Sequence, residues 1–349
     1  MSLGLPLNIL SAKGDNMENK SLMTCPNEKC INHDEAHGRW FIKKGSYLGL
    51  ADKLIHRFQC KECGVKFSEA TFMDTYRQHK PEVNEQVFNW YTDSASQRQI
   101  SRNLGIARVT VVRKFRFLSD KARRIHACYI ATGKLSTNQV QFDEQETFIR
   151  TKKLPVSIAI AVDGTRDKTG GKIIDIDVAM MPAKSRNAFE SRLLYGTQPD
   201  QRPYVCRTVL HNVRLACHFK HILIATDAKP AYRTYVRQVL PKAIHLRVNR
   251  SEEDREVVSR ADEHPLWWVN QYCAANRHFL SRLRRRTCVT SKDIDELRRH
   301  LWLFAAKRNG YAADLFNPLF DYTVFRNIKQ TVMAITDDLR SGQIKKLKI

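Results

Sequence analysis

Four cysteines near the N-terminus restrict the fold of this chain more than any other feature. Cys25 and Cys30 lie in CPNEKC, and Cys60 and Cys63 lie in CKECGVKF. Two close pairs on tight turns, separated by a longer insert, are the arrangement that a tetrahedral zinc site needs. Four thiolates fill the coordination shell, so the zinc is predicted to be structural and any chemistry to lie elsewhere. The alternative is a set of free core cysteines, which rarely occur as matched pairs at turns.

Residues 21–75 are therefore predicted to form a zinc ribbon. Short strands are expected at 39–42 and 56–59, between the two cysteine pairs. Gly64 follows the second pair and allows the reversed backbone of such a turn, and Phe67 is expected to pack beneath it.

The charge of the chain indicates a polyanionic partner. The formal net charge is +23, from 59 lysines and arginines against 36 aspartates and glutamates in 349 residues. Like charges repel in the compact state, so this excess does not serve stability. Nucleic acid fits better than a membrane surface, because no amphipathic basic helix or lipidation motif is visible. The alternative is a generally basic soluble protein.

The other cysteines indicate the compartment. They are scattered through apolar or helical contexts and read as buried free thiols: Cys128, Cys206, Cys217, Cys273 and Cys288. Such usage is typical of a reducing cytosol. No convincing secretory signal is visible, and no apolar run approaches the roughly 18 residues that a membrane span needs. The sequence therefore predicts a cytoplasmic, nucleoid-associated protein with no membrane partner.

Residues 80–125 are predicted to form a helix–turn–helix domain. Ser96 and Gln99 match a capping box for the second helix, and Gly105 stands where the tight turn needs a left-handed residue. The third helix is predicted to turn four apolar residues inward: Val109, Val112, Phe115 and Leu118. Its other face carries the candidates for contact with a DNA major groove: Arg108, Thr110, Arg113, Lys114 and Arg116. The alternative is an ordinary three-helix unit with a solvated basic face.

Residues 138–310 alternate strand and helix patterns. A hairpin of strands followed by strand–helix–strand units predicts an α/β domain, in which a mixed sheet is flanked by helices. Residues 1–20 are expected to be a disordered leader, and no role is assigned to the tail, 311–349.

Two aspartates of this region are candidate metal ligands. Asp143 lies inside the first predicted strand, where a charge is costly unless something such as a metal ion pairs with it. Asp227 follows a short buried strand at its carboxyl end, where α/β sheets bind their ligands. If these two strands are neighbours, the carboxylates converge on one site for two magnesium ions. The alternatives are a salt bridge for Asp143 and a helix N-cap for Asp227.

Several features together resemble DDE-type bacterial insertion-sequence transposases. They are the cysteine ribbon, the helix–turn–helix, the strand containing DEQ, the TD that ends a buried strand, and the late helix containing VNQYCAANRHFLSRLRRRT. The resemblance covers about residues 21–305 and implies an RNase H-like catalytic domain that uses magnesium, with manganese as an alternative ion. It implies Asp143 and Asp227 as the two carboxylates. Asn270 stands where many relatives have a third ligand, a glutamate, and Arg277 follows it by seven residues.

Asn270 differs in chemistry from the glutamate that many relatives have at this position. Residues seven apart lie on nearly the same helix face, about 20° off, so Asn270 and Arg277 can address one site. Asparagine can ligate magnesium through its carbonyl oxygen, but it brings no charge and cannot act as a base. The alternatives are Glu263 as the third ligand, a degenerate copy, or Asn270 as a buried structural amide. Arg277 is expected to hold a phosphate, or else to bind the DNA backbone without catalysis.

Three hypotheses of function follow. The first is a transposase that binds the ends of an insertion sequence as a homo-oligomer on double-stranded DNA, and then performs magnesium-dependent cleavage and strand transfer. The second is a catalytically inactive or domesticated sequence-specific DNA-binding protein, which the asparagine favours. The third is a metal-dependent ribonuclease or resolvase on the same sheet.

Overall fold

The chain divides into two units, residues 1–81 with 317–349 and residues 82–316. The structure, a computed structural model, describes residues 23–34, 36, 38–49, 54–166, 170–219, 221–249, 264–284, 289–321 and 324. The leader, 1–20, and most of the tail lie outside the described residues.

The first unit contains a three-stranded antiparallel sheet in the order β1-β2-β3. Its strands are β1 (Phe41–Leu48), β2 (Leu54–Cys60) and β3 (Lys66–Ser68), followed by one 3₁₀ turn at Glu69–Phe72. The strand predicted at 56–59 is confirmed within the longer β2, whereas β1 begins two residues after the predicted start at 39 and runs six residues past the predicted end at 42. Trp40, Phe58 and Phe67 form the core of this unit together with three of the cysteines, so Phe67 packs where the sequence predicts.

The second unit begins with three helices after a 3₁₀ turn at Pro81–Val83. They are α1 (Asn84–Thr92), α2 (Gln97–Leu104) and α3 (Arg108–Ala131). The predicted capping box is confirmed, since Ser96 N–H donates to Gln99 Oε1 (2.8 Å) and Gln99 N–H donates to Ser96 Oγ (3.4 Å). Gly105 has φ +59°, the left-handed conformation that the turn requires.

The inward face of α3 differs from the prediction. Val111, Phe115 and Leu118 are fully buried, whereas Val109 is 57% exposed, so its predicted inward position is wrong. Lys114 is only 1% exposed, and its Nζ donates to Asn84 Oδ1 on α1 (2.9 Å). The prediction that Lys114 lies on the DNA-facing side is therefore wrong. The helix packs through the stripe that contains Val111, which carries Lys114 against α1.

A five-stranded mixed sheet forms the centre of the second unit. Its strands are β4 (Gln139–Phe148), β5 (Pro155–Asp163), β6 (Ile173–Met180), β7 (Leu223–Asp227) and β8 (Ile244–Val248). The order is β6-β5-β4-β7-β8. The β4–β5 and β5–β6 pairs are antiparallel, and the β4–β7 and β7–β8 pairs are parallel. The predicted mixed sheet is confirmed.

Helices cover both faces of this sheet. The remaining helices are α4 (Arg186–Tyr195), α5 (Arg202–Ala216), α6 (Pro230–Val239), α7 (Trp267–Phe279), α8 (Ile294–Arg308), α9 (Ala312–Phe316) and a 3₁₀ turn at Ser281–Leu283. Helices α5 and α6 share one core with Val140 and Phe142 of β4. Helices α7 and α8 share the other core with Ala225 of β7 and the alternate residues of β5.

Helix α3 connects the predicted helical domain, residues 80–125, with the predicted α/β domain, residues 138–310. Its C-terminal half reaches the sheet, where His126 Nε2 lies 2.8 Å from the carbonyl oxygen of Ile174 on β6. The Tyr129 hydroxyl donates to Asp314 on α9 (2.6 Å). The helical segment and the sheet therefore belong to one unit.

Candidate functional site

The four predicted cysteines come together in the first unit. Their sulfur atoms lie within 4.8 Å of one another. Cys25 Sγ is 3.4 Å from Cys63 Sγ, and Cys30 Sγ is 3.7 Å from Cys60 Sγ. A tetrahedron with zinc–sulfur bonds of about 2.3 Å has edges of about 3.8 Å, so the cluster is compatible with a zinc site.

The turns around the cysteines hold this geometry. Gly64 has φ +71°, and its N–H donates to the carbonyl oxygen of Cys60 (3.1 Å). A hydrogen bond from the Val65 N–H lowers the pKa of the exposed Cys63 thiol to about 6. The thiolate, which is the form that binds metal, is therefore favoured at this position.

The two candidate aspartates lie side by side on neighbouring parallel strands. β4 and β7 pair in register, Gln141 with Ala225 and Phe142 with Thr226. Asp143 and Asp227 are the next residues in the same register. Strands are about 4.8 Å apart in a sheet, so the backbones of Asp143 and Asp227 are expected to be neighbours at about this spacing.

Both aspartates belong to the face of the sheet that α7 covers. Gln141 Oε1 accepts from Val269 N–H (3.1 Å), and Gln145 Nε2 donates to the carbonyl oxygen of Cys273 (3.0 Å). Asp143 lies between these glutamines on β4 and shares their face, because alternate residues of a strand point the same way. On β7, Ala225 is in the α7 core, and Asp227 follows it by two residues.

Two groups lie within hydrogen-bonding distance of Asp143 Oδ1. Oδ1 accepts from Glu144 N–H (2.7 Å) and lies 3.3 Å from the hydroxyl of Tyr232 on α6. On the α7 side, burial and then the charge of Asp143 raise the pKa of the Cys273 thiol to about 12. Asp143 is therefore half-buried between α6 and α7.

Asp227 ends β7 and does not cap α6. Its Oδ1 accepts from the Lys229 N–H (3.0 Å) within a short turn, whereas the N-cap of α6 is Lys229 itself. Burial and then the charges of Asp143, Glu144 and Asp227 raise the pKa of Tyr232 well above its ordinary value. The charges of both aspartates thus disfavour ionisation of the same tyrosine hydroxyl.

Asn270 and Arg277 lie on one side of α7. Both are half-exposed, and each follows a buried residue, Val269 and Asn276. The buried structural amide of this helix is Asn276, whose Nδ2 donates to Gln145 Oε1 (3.0 Å). The charge of Arg277 lowers the pKa of Cys273, opposing the effect of Asp143. Glu263, the alternative third ligand, lies outside the described residues.

Among the described residues, the candidate site on the sheet offers two carboxylates on the α7 face, Asp143 and Asp227. Within the described ranges, the cysteine cluster is the only group of three or more His, Cys, Asp or Glu ligand atoms close enough to share an ion. Carboxylate and amide oxygens are the ligands that suit magnesium and manganese. Asp143 and Asp227 are ligands of this chemical type.

Sequence reasoning missed a buried charge beside this site. Glu144 points to the face opposite α7, where its carboxylate forms an ion pair with Lys229 and accepts from Ser157 Oγ (2.8 Å) and the Tyr232 hydroxyl (3.0 Å). Burial favours the neutral acid, but these hydrogen bonds outweigh it and hold the pKa of Glu144 below its ordinary value. The sequence feature that could have indicated these partners is the pair Lys229 and Tyr232, which follow Asp227 by two and five residues.

The candidate DNA-contacting residues of α3 are divided by the structure. Arg108 and Arg113 are exposed, Thr110 is half-buried, and Lys114 is buried as described above. Arg116 is exposed but forms an ion pair with Glu296 on α8 (2.8 Å). The basic surface at the start of α3 therefore consists mainly of Arg108 and Arg113.

Comparison with known proteins gives this chain no family. No protein-family model matches it, and no curated protein matches it significantly. Within the part of the chain that the structure describes, no helix has the length and apolar character needed to cross a bilayer.

Proposed function

We propose that this chain is a DNA transposase of the DDE type, with the five-stranded sheet as an RNase H-like catalytic domain. The observation that carries the proposal is the register of β4 and β7, in which Phe142 pairs with Thr226, so that Asp143 and Asp227 are the next residues on the two neighbouring strands. The sheet architecture is compatible with that fold, and the net charge of +23 favours a nucleic acid substrate.

In this proposal, four residues of the chain have roles in catalysis. Asp143 and Asp227 supply charged oxygen ligands, and Asn270 supplies an amide oxygen from α7. Arg277, on the same side of that helix, binds a phosphate of the DNA. When bound, magnesium would stabilise charge on the attacking and leaving oxygens of a phosphodiester displacement. No nucleophilic side chain is required for this reaction.

The other elements bind the element ends. Arg108 and Arg113 at the start of α3 contact double-stranded DNA, and a zinc ion on the four cysteines holds the ribbon in a shape that adds a second contact. Cleavage and joining of two ends require that both be held together, so the active form on DNA is a homo-oligomer in the cytoplasm, associated with the nucleoid.

The second candidate is a sequence-specific DNA-binding protein without catalytic activity. The half-exposed amide of Asn270, at the place of an acidic third ligand, favours it. The two functions differ in one test. Purified protein is incubated with duplexes containing the sequences that flank its own gene, with magnesium or with a chelator. Magnesium-dependent nicking and strand transfer support the transposase, and binding without cleavage supports the alternative.

Arg113→Ala is expected to weaken DNA binding without changing the fold. Arg113 is exposed on α3, and loss of one phosphate contact reduces the slope of log affinity against log salt by about 0.9. The measurement is fluorescence anisotropy of a labelled duplex over a salt series. Arg237→Ala, which removes the same charge from an exposed position on α6, is the matched control and should leave the slope unchanged. Equal effects of the two variants would mean that α3 is not the DNA-binding face.

A further inference from the structure

One buried hydroxyl reaches the carboxylates of two successive residues of β4. The ring of Tyr232 packs edge-on against Phe142, with centroids 5.2 Å apart. Its hydroxyl lies 3.3 Å from Asp143 Oδ1 and 3.0 Å from Glu144 Oε2. Successive residues of a strand point to opposite faces of the sheet. A single hydroxyl can therefore contact both Asp143 and Glu144 only from a position beside the strand, between the two faces.

The two carboxylates do not depend equally on this hydroxyl. A phenol has one hydrogen and donates it to one acceptor at a time. Glu144 also accepts from Lys229 Nζ and from Ser157 Oγ (2.8 Å). Glu144 Oε2 is the nearer of the two acceptors, but Glu144 keeps its other hydrogen bonds whenever the Tyr232 hydrogen turns to Asp143 Oδ1.

The hydroxyl and a backbone group address the same atom of Asp143. Oδ1 accepts from Glu144 N–H at 2.7 Å and faces the Tyr232 oxygen at 3.3 Å. Donors from two directions on one carboxylate oxygen restrict rotation of the carboxylate plane. A restricted carboxylate loses less entropy when it binds a cation.

We propose that Tyr232 is a positioning residue for Asp143, holding its carboxylate in the orientation in which it shares a divalent cation with Asp227. Lys229 and Ser157 hold Glu144, and Glu144 holds the hydroxyl in place. This inference rests on the proposed function, because it concerns the same cation site. Partners of metal-binding carboxylates in other proteins commonly change metal affinity by about 10- to 100-fold.

Tyr232→Phe is expected to weaken manganese binding about tenfold. The phenylalanine keeps the ring in the core and removes the hydroxyl alone. The measurement is calorimetric titration of the zinc-loaded full-length chain with Mn²⁺, which takes the same oxygen ligands as magnesium. Tyr235→Phe, three residues further along α6 and half-buried, is the matched control and should leave the affinity unchanged.

Glu144→Gln separates positioning from stability. It removes the charge that pairs with Lys229, so the midpoint of thermal unfolding should fall by about 5 °C or more. The Tyr232 hydroxyl then donates to the charged Asp143 in preference to an amide, so the Mn²⁺ affinity should stay within about threefold of the wild type. If affinity instead follows stability, and Glu144→Gln loses more than Tyr232→Phe, the positioning role is wrong.

Asp143→Asn distinguishes this inference from the proposed function. If the wild type binds Mn²⁺ and Asp143→Asn abolishes the binding, the cation site is supported. Unchanged binding in Tyr232→Phe would then overturn the positioning role alone. If Asp143→Asn binds as the wild type does, the cation site itself is wrong, and the inference falls with it.

Discussion

Asp143→Asn and Asp227→Asn should each reduce magnesium-dependent DNA cleavage by about 1,000-fold. The two residues follow the last residue pair of β4 and β7, Phe142 with Thr226, and in the proposed function each supplies one charged ligand to the same site. Cation stabilisation of the transition state is worth several kcal/mol, and about 4 kcal/mol corresponds to this factor. The measurement is the rate of nicking of a duplex that carries the element end, at saturating magnesium.

A matched control lies in the same sheet. Asp177→Asn makes the same chemical change on β6, where the carboxylate forms an ion pair with Arg298 on α8. Its cleavage rate should remain within a fewfold of the wild type. Cleavage that persists in both site variants, or falls equally in the control, would contradict the assignment of the catalytic carboxylates.

If the four cysteines bind zinc, its removal should unfold the three-stranded sheet of the first unit and leave the second unit folded. Structural zinc contributes about 10–16 kcal/mol of apparent binding free energy in small zinc domains, more than a core of three aromatic rings can replace. The preparation should contain about one zinc per chain by atomic emission. After chelation, amide hydrogen exchange should accelerate throughout β1, β2 and β3, while β4 and β5 stay protected.

Single substitutions test the same ribbon site. Cys60→Ser should lose the bound zinc and show the same loss of protection in β1–β3. Cys128→Ser is the matched control, because Cys128 is a half-buried thiol of α3 outside the cluster. A ribbon that remains protected without zinc would show that the four cysteines act as ordinary core residues.

The strands and the cysteine cluster could be predicted because their patterns are local. The fully buried strand β5 is a continuous apolar run, and the pairing of thiols follows from two tight turns. The sequence predicts a shared site for Asp143 and Asp227 only if their strands are neighbours, and the structure shows that β4 and β7 are. Pairing of distant parallel strands leaves no mark in the spacing of residues along the chain.

Other features depended on tertiary contacts. Two overlapping apolar stripes run along α3, one through Val109 and one through Val111, and packing against α1 selects the second. Lys114 is buried beside this stripe, where its ammonium group donates to the amide oxygen of Asn84, a partner that no local pattern reveals. Helix α5 is not among the elements predicted from the sequence. Val205 and Val209 repeat at helical spacing, so the sequence does contain a pattern from which this helix could be predicted.

The most direct test of the proposed cation site is a crystal structure of the protein with Mn²⁺, examined by anomalous scattering. We predict a manganese peak within about 2–2.5 Å of carboxylate oxygens of both Asp143 and Asp227, on the α7 side of the sheet. A manganese-bound structure in which the two carboxylates share no ion would contradict it.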